Sequence, residues 1–462
     1  MIHAFSQCLR ASVVISHAVL ARPRTELVRL LIGVLLAAWF TVPLQATEQP
    51  NMVFILADDL GWADIGYHDS DIRTPHLDKL AAEGTRLEQY YVYPTCSPTR
   101  VALLSGRYPS RFGVLAPLGA TTKMRGDDAL LAHSLRNLGY RTHLAGKWHI
   151  GETPEHRPLN YGFDTTYGYL RGQIDPYTHR YKFGNHVTWH RNDEFFEEEG
   201  HVTDLITNEA IRIIEEAGEE PFFLYVAHHS PHSPLNESPE WIAPYEESTD
   251  DIWRRHFAAA VSHVDASVGR IVEALEATGQ RENTLIFFSS DNGGQKSWGA
   301  PPREYNGRYA PHKTLGNNTP LRGWKGELYE GGIRVPAFLN LPGTIPAGAV
   351  LDTPTHVTDW LPTLISAAGG DPAEIGEAEG TNLWPRLTSG ASSLQERTLY
   401  WKTPNGAAVR AGDWKLIQHN DGKTELFNLR EDPLEEKELS KRESDRVTAL
   451  LETMKKIAAA DR

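Results

Sequence analysis

Three short apolar runs and one further candidate strand, each ending in chemically capable polar residues, restrict this chain more than any other feature. Met52 to Leu56 runs into Asp58-Asp59. Tyr140 to Ala145 leads to Gly146-Lys147-Trp148-His149. Phe222 to Val226 is followed by His228, His229 and His232, and Leu285 to Phe288 by Asp291-Asn292-Gly293-Gly294. Unbroken apolar runs of this length suit strands buried on both faces, which need helices to cover them. Helical patterns do lie between the runs, so the expected architecture is an α/β sheet with helices on both faces. In such sheets ligands bind beyond the carboxyl ends of the strands. All four polar groups would share that position.

The spacing predicts helices over Pro75 to Gly84, Asp128 to Leu138, Trp253 to Leu275 and Thr358 to Ala368. His256 and His263 fall in the third of these, where a packed helix face accounts for them better than a metal does. A Gly- and Glu-rich stretch, 369–380, marks a soft boundary. Beyond it, short strands over Arg397–Thr403, Ala407–Arg410, Trp414–Gln418 and Thr424–Asn428, with a helix from about Arg442 to Ala459, form a small α+β unit. The expected organisation is a leader over 1–46, a main domain over 47–380 and a C-terminal unit over 381–462. Gly294 to Gly323 is rich in Gly, Pro, Asn and aromatics, and a loop this long is usually functional or disordered.

Arg22, Arg24 and Arg29 precede the apolar run Leu30 to Val42, and Leu44-Gln45-Ala46 offers a small-residue cleavage site. This is the pattern of a secretory signal whose core is too short to span a bilayer, so an exported, periplasmic or secreted protein without stable membrane insertion is expected. The formal charge of −14 argues against nucleic acid as a partner. Cleavage would remove Cys8, one of two cysteines, and leave Cys96 with no possible internal disulfide. An unpaired cysteine in an exported chain calls for a chemical explanation.

Asp58, Asp59, Asp291 and Asn292 offer only oxygen ligands, from two separate strand ends. That set fits a hard cation such as Ca²⁺ or Mg²⁺ rather than zinc. Ser97-Pro98 reads as an N-cap and first helical residue, with a short helix running on to Gly106. Cys96 would then sit just before a helix N-terminus, with the fixed charge of Arg100 one turn in. Backbone N–H groups there favour an anion.

"CSPTR" followed by "LLSGR" resembles the signature of the type I sulfatases, C-x-P-x-R and a short helix. "GYRTHLAGKWH" resembles that family's second signature, and "ADDLGW", "SSDNGG" and "GWKGELYEGGIRVP" follow in its order. The resemblance runs from about Asn51 into the C-terminal sheet. It implies an alkaline-phosphatase-like large mixed sheet flanked by helices, with a small C-terminal α+β domain carrying an antiparallel sheet and a terminal helix. It also implies that a maturation enzyme oxidises Cys96 to Cα-formylglycine, hydrated to a geminal diol. One hydroxyl would attack sulfur and the alcohol would leave; deprotonation of the second would expel sulfate and restore the aldehyde. By the same resemblance Asp58, Asp59, Asp291 and Asn292 hold Ca²⁺ together with an oxygen of modified Cys96. Arg100 holds the diol and the carboxylates, and Lys147 and Lys325 neutralise sulfuryl oxygens. His149 is the base for release and His232 the acid on the leaving oxygen, with His228 or His229 open to share that role.

Within the family, "RTPHLDKLAAEGTRLEQYY", "GFDTTYGYLRG" and "NNTPLRGWKGELYEGG" are most similar to the arylsulfatase B (N-acetylgalactosamine-4-sulfatase) branch, implying a sulfated sugar substrate. The segments 171–200 and 295–319 depart from the pattern. His179, Arg180, Trp298, Arg303 and His312 are candidate sugar contacts there. Zinc-dependent phosphodiesterases of related fold tend to place His where this chain has Asn292. Phosphonate hydrolases that use formylglycine share the C-x-P-x-R element and remain a rival, as does a non-catalytic sugar-binding relative.

Overall fold

The computed structural model describes residues 49–119, 124–390 and 396–462. The leader read over 1–46, with Cys8, lies outside the described residues. Among the described residues no helix is long and apolar enough to cross a membrane.

The apolar runs become strands of a ten-stranded mixed sheet. In chain order these are β1 (Asn51–Ala57), β2 (Thr85–Leu87), then, after a two-residue strand β3 (Tyr90–Tyr91) of a separate pair, β4 (Arg141–Lys147), β5 (Thr165–Tyr169), β6 (Trp189–Arg191), β7 (Glu194–Phe195), β8 (Phe222–Ala227), β9 (Thr284–Ser290), β10 (Ala337–Asn340) and β11 (Ala349–Leu351). Their spatial order is β11-β2-β10-β9-β1-β8-β4-β5-β6-β7. The centre, β9-β1-β8-β4-β5, is parallel, with Phe54 opposite Phe287 on one side and Tyr225 on the other. β10, β6 and β7 run antiparallel to their inner neighbours.

Because side chains alternate along a strand, β1 feeds both faces. Met52, Phe54 and Leu56 enter one apolar cluster, while Val53, Ile55 and Ala57 enter the other. The first face is covered by the helices Cys96–Ser105, Leu130–Asn137 and Trp360–Ala367, the second by Pro75–Ala82, Val202–Glu216 and Ile252–Ala277. These bounds agree with the periodicity to within a few residues.

Past β12 (Thr355–His356), β13 (Thr398–Thr403), β14 (Gly406–Ala411), β15 (Trp414–His419) and β16 (Thr424–Asn428) form an antiparallel meander backed by the helix Ser444–Ala458. The residues from Gln49 to Arg462 make one compact unit. Leu399, Trp401, Val409 and Leu416 join the same cluster as Phe54 and Phe287, and Trp401 Nε1 donates to the Val92 carbonyl at 2.8 Å. The small sheet is thus anchored to the large one by shared core rather than tethered beside it.

Candidate active site

The strand order decides the site. β9, β1, β8 and β4 are consecutive and parallel, so Asp291-Asn292, Asp58-Asp59, His228–His232 and Lys147–His149 emerge along one edge of the sheet. Asp59 (φ 72°) and His149 (φ 59°) hold left-handed backbone conformations, which cost a non-glycine residue energy and are found where side chains must be aimed. Gly293 shows why this edge carries paired glycines: a Cβ there would lie 1.8 Å from the Gly331 carbonyl oxygen. The "NGG" and "EGG" turns therefore pack backbone to backbone.

Cys96 stands at this edge, buried to 2% exposure. The helix that carries it spans Cys96–Ser105 with Thr95 as N-cap and left-handed Gly106 as C-cap. It begins two residues earlier than the Ser97-Pro98 cap reading. Proline is tolerated there because the N–H groups of a helix's first turn have no intrahelical partner to lose. Ser97 has a different task. Its Oγ donates to the His149 carbonyl at 2.9 Å and accepts from the Leu118 N–H at 3.0 Å, tying two loops together.

Those loops set the His149 tautomer. Nε2 lies 3.2 Å from the Leu118 carbonyl, which can only accept, so Nε2 carries the proton. Nδ1 then turns its lone pair on Cys96 Sγ, 3.1 Å away. Burial, followed by the charges of Lys147 and Arg100, holds His149 well below the usual histidine range, so the lone pair is free. A Cβ on Gly172 would fall 2.3 Å from the imidazole, so glycine is required for the wall behind it. Burial pushes the Cys96 thiol up despite Lys147 and Lys325, so the encoded thiol is no ready thiolate.

Arg100, fully buried, bonds β9, β4 and β8 at once. Nη2 and Nε donate to Asp291 Oδ2 at 2.7 and 3.2 Å, while Nη1 donates to the Lys147 carbonyl at 2.9 Å and the Tyr225 hydroxyl at 3.4 Å. Lys147 Nζ donates to Asp58 Oδ2, and Lys325 Nζ to Asp59 Oδ2 at 2.7 Å. Burial would raise Asp59, but Lys325, His232 and Asn292 hold it at about 2. Burial and the neighbouring Asp58 charge push Asp291 up to about 6, against Arg100 and Lys147.

The three histidines of "AHHSPH" separate. His228 Nε2 meets Ser267 Oγ at 3.2 Å, toward the helix layer and away from the edge. His229 Nδ1 meets the Tyr169 hydroxyl at 2.9 Å. Only His232 faces the carboxylates, with Nε2 3.6 Å from Asp59 Oδ2. Its Nδ1 donates to the Ser233 carbonyl at 2.6 Å, and burial with Lys325 pushes it down to about 3 although Asp59 opposes them.

Two oxygens report what is missing from this charge balance. Asp58 Oδ1 and Asn292 Oδ1 are buried with no hydrogen-bond partner, a costly arrangement unless something else meets them. A hard cation would satisfy both, and Asp58, Asp59, Asp291 and Asn292 supply the oxygen donors it prefers. Asp58, Asp59 and His232 offer ligand atoms within 4.8 Å of one another.

A second group satisfies the same distance test: His201, Glu237 and His263. His263 thus has acidic company that the sequence could not show, since Glu237 and His201 come from other segments. His201 Nδ1 accepts from the Thr203 N–H at 3.3 Å, which puts its proton on Nε2, facing Glu237 Oε1 at 3.5 Å. His263 faces Glu237 through Nδ1 at 2.8 Å and Asp204 through Nε2 at 3.4 Å. Each imidazole in this group thus faces a carboxylate, so protonated histidine can supply its positive charge. His256 lies tilted beside Trp253, with ring centroids 6.0 Å apart.

Among the candidate sugar contacts, His179 stacks on Trp189 and sits 3.1 Å from the Gly200 carbonyl. Trp298 and His312 pair across the loop, and His312 Nε2 accepts from the Leu235 N–H at 3.1 Å. These three are buried framework. Arg303 is exposed, its guanidinium 5.6 Å over the Phe183 ring, and Arg180 lines a cavity. Tyr169, Tyr225 and Gly172 belong to the site without having stood out in the sequence, and Ser97 reads there only as a helix cap. The tyrosines sit in strands, where an aromatic reads as core.

The family model for sulfatases matches residues 50–370. Mouse arylsulfatase J is 35% identical over 413 residues, covering 81% of this chain and 65% of the relative. Mouse N-acetylgalactosamine-6-sulfatase is 33% identical over 395 residues, covering 80% and 72%. This chain therefore spans just under two thirds of the length of arylsulfatase J. The crystal structure of Ps i-CgsB aligns with a TM-score of 0.81 at 32% identity, over 90% of this chain and 94% of that one. A second structure of that protein holds k-i-k-neocarrahexaose. The chain belongs to the sulfatase family, and its sheet, flanking helices and C-terminal meander are that family's fold.

Proposed function

We propose that this chain is an exported sulfuric ester hydrolase that removes sulfate from a sulfated oligosaccharide or polysaccharide. The observation that carries this reading is the His149 lone pair turned on residue 96 beside a ring of buried oxygen ligands. A thiol raised by burial makes a poor nucleophile, whereas Cα-formylglycine at the same position would supply one hydroxyl to attack sulfur and a second to be deprotonated. Ca²⁺ at Asp58, Asp59, Asp291 and Asn292, with an oxygen of modified residue 96, would supply Lewis-acid polarisation of the sulfate oxygens.

The chain's own groups have defined tasks in this scheme. His149 Nδ1 takes a proton from residue 96 while Leu118 fixes its tautomer. Arg100 holds the Asp291 carboxylate and the position of residue 96. Lys147 and Lys325, now on Asp58 and Asp59, provide the positive charge that developing sulfuryl oxygens need. His232 keeps its Nδ1 proton on the Ser233 carbonyl and turns Nε2 to the leaving oxygen. To act as the acid it takes up a second proton at Nε2, which Asp59 favours and which burial, Lys325 and Lys147 make easy to release.

The substrate class follows the relatives: one carries N-acetylgalactosamine-6-sulfatase as its name, and another was crystallised with k-i-k-neocarrahexaose. Galactosamine 4-sulfate in chondroitin or dermatan is the first substrate to test, then algal galactan sulfates. Purified enzyme, with conversion at residue 96 verified, should hydrolyse aryl sulfate faster than phosphate diesters or phosphonate esters. Faster phosphonate turnover would replace this reading with that of a formylglycine-dependent phosphonate hydrolase.

A further inference from the structure

The segments 171–200 and 295–319 meet in a cavity of about 310 Å³ whose lining includes Arg180, Lys182 and Arg308 against a single acid, Asp175. Asp175 has no acceptor left to offer. Its Oδ1 takes the N–H groups of Tyr177 and Thr178 at 3.0 and 2.9 Å. Its Oδ2 takes Arg308 Nη1 at 2.8 Å and the Tyr309 hydroxyl at 2.7 Å. The Arg308 guanidinium makes no other hydrogen bond among the described residues, so Nε and Nη2 remain available. Lys182 spends one of its three donors on Glu304, at 3.0 Å. Arg180 is held in place by the Asn185 carbonyl at 2.7 Å and by Glu197.

The cavity is joined to the catalytic edge through both its walls. The first segment begins beside His149, whose N–H donates to the Leu170 carbonyl at 3.1 Å and whose ring packs against Gly172. The second begins at Gly294, whose carbonyl accepts from the Lys325 N–H at 3.2 Å. The Tyr305 N–H then ties the walls together, donating to the Lys182 carbonyl at 2.8 Å. His179, Asn185, Ala300, Tyr305 and Asn306 all hold positive φ, so both walls are fixed in shapes an unconstrained loop would leave. No nucleophile or paired acid and base lines the cavity, so its chemistry is recognition.

We infer that this cavity binds a second oxyanion, a sulfate ester or a carboxylate, on the same carbohydrate whose first sulfate lies at the strand ends. This inference rests on the sulfate-ester reading above and names its substrate as a multiply charged oligosaccharide. In a chain of net charge −14 a polyanion meets general repulsion. Arg180, Lys182 and Arg308 are each paired with one carboxylate, Glu197, Glu304 and Asp175. The cavity therefore meets that repulsion with unspent N–H donors rather than with net charge, and these select the longer, more charged substrate.

The test uses full-length enzyme with residue 96 converted, and the variants Lys182→Ala and Arg308→Gln. Substrates are 4-nitrophenyl sulfate, a disulfated oligosaccharide, and a monosulfated oligosaccharide bearing a uronate. Losing one charge-assisted hydrogen bond should raise KM for a multiply charged substrate about tenfold or more, with kcat unchanged. Both constants for 4-nitrophenyl sulfate should stay within about twofold. An effect on the disulfated substrate alone identifies the guest as sulfate; an effect on the uronate substrate alone identifies it as carboxylate. Equal effects on the aryl and oligosaccharide substrates, or none on either oligosaccharide, overturn the inference. Lys182 pairs with Glu304 and not with Asp175, so its variant reads out even if Arg308→Gln disturbs Asp175. Calorimetric binding of the disulfated oligosaccharide to Cys96→Ala, with and without Lys182→Ala, separates two failures. Lys182-dependent binding to Cys96→Ala, with no hydrolysis of any sulfate ester by the converted wild-type enzyme, keeps the cavity and rejects the hydrolase, and Lys182-independent binding rejects the cavity.

Discussion

Two buried histidine–carboxylate groups in this molecule look alike by distance and differ in what completes them. At the strand ends, Asp58, Asp59 and His232 stand with Asp291 and Asn292, and two of their oxygens have no donor. Between the helices Val202–Glu216 and Ile252–Ala277, the Glu237 oxygens face His201 Nε2 and His263 Nδ1, and Asp204 faces His263 Nε2. Burial works against charge on His263, but Asp204 and Glu237 overcome it and raise it to about 9. The second group already contains its cation, a proton on imidazole. The first presents two oxygens that Lys147, Lys325 and Arg100 leave unmet. Both groups keep buried atoms without hydrogen bonds. At the strand ends these are oxygens, Asp58 Oδ1 and Asn292 Oδ1, whereas in the second group they are His201 Nε2 and His263 Nε2, each facing a carboxylate. The chemistry of the orphan atoms, more than ligand spacing, separates a metal site from an ion-pair cluster.

The largest expected effect breaks the first group. Asp291→Asn should cut kcat/KM for aryl sulfate on the order of a thousandfold or more, because it weakens both the cation site and the hold of Arg100. Steady-state kinetics on folded variant checks this. Next comes ligand linkage: Ca²⁺ at a hundred times its Kd should stabilise the wild-type fold by about 2.7 kcal/mol in thermal or urea melts. Asp291→Asn should lose that gain, while Glu237→Gln should keep it. If Glu237→Gln abolished the calcium effect, the two groups would have been assigned the wrong way round.

Glu237→Gln should still cost stability, about 3 kcal/mol, since it leaves the buried His263 charge with Asp204 alone on a half-exposed side. The smallest effects are pH-dependent. His263 is raised above its unfolded value of about 6.5, so its contribution is fully present below that pH and is lost as pH rises through about 9. His143, His190 and His312 behave oppositely. Burial lowers each to about 4, and the unfolded chain binds their protons first. Stability should therefore fall as pH drops from about 6.5 toward 4. Urea melts from pH 4 to 10 should show both flanks, and Glu237→Gln should flatten only the alkaline one.

The same contrast explains what could be read from sequence. The four strand-end groups were legible because an apolar run followed abruptly by acids or basic residues marks both the strand and its mouth. Their convergence needed the order β9-β1-β8-β4, which no single run encodes. His263 was placed correctly on a packed helix, but its partners Glu237 and His201 lie 26 and 62 positions earlier in the chain, beyond the reach of helical spacing. The three histidines after β8 could not be ranked by type. Backbone geometry turns His228 to the helix layer, His229 to Tyr169 and His232 to Asp59. The start of the Cys96 helix was misplaced by two residues because Ser-Pro is a common opening, while here the serine is spent on holding His149 and Leu118.

Residue 96 carries the central claim, and a mass spectrum of its peptide from active enzyme made in the native host tests it directly. The expected result is an aldehyde in place of the CH₂–SH group, with specific activity proportional to the converted fraction. Fully active enzyme with an intact thiol at Cys96 would contradict the account.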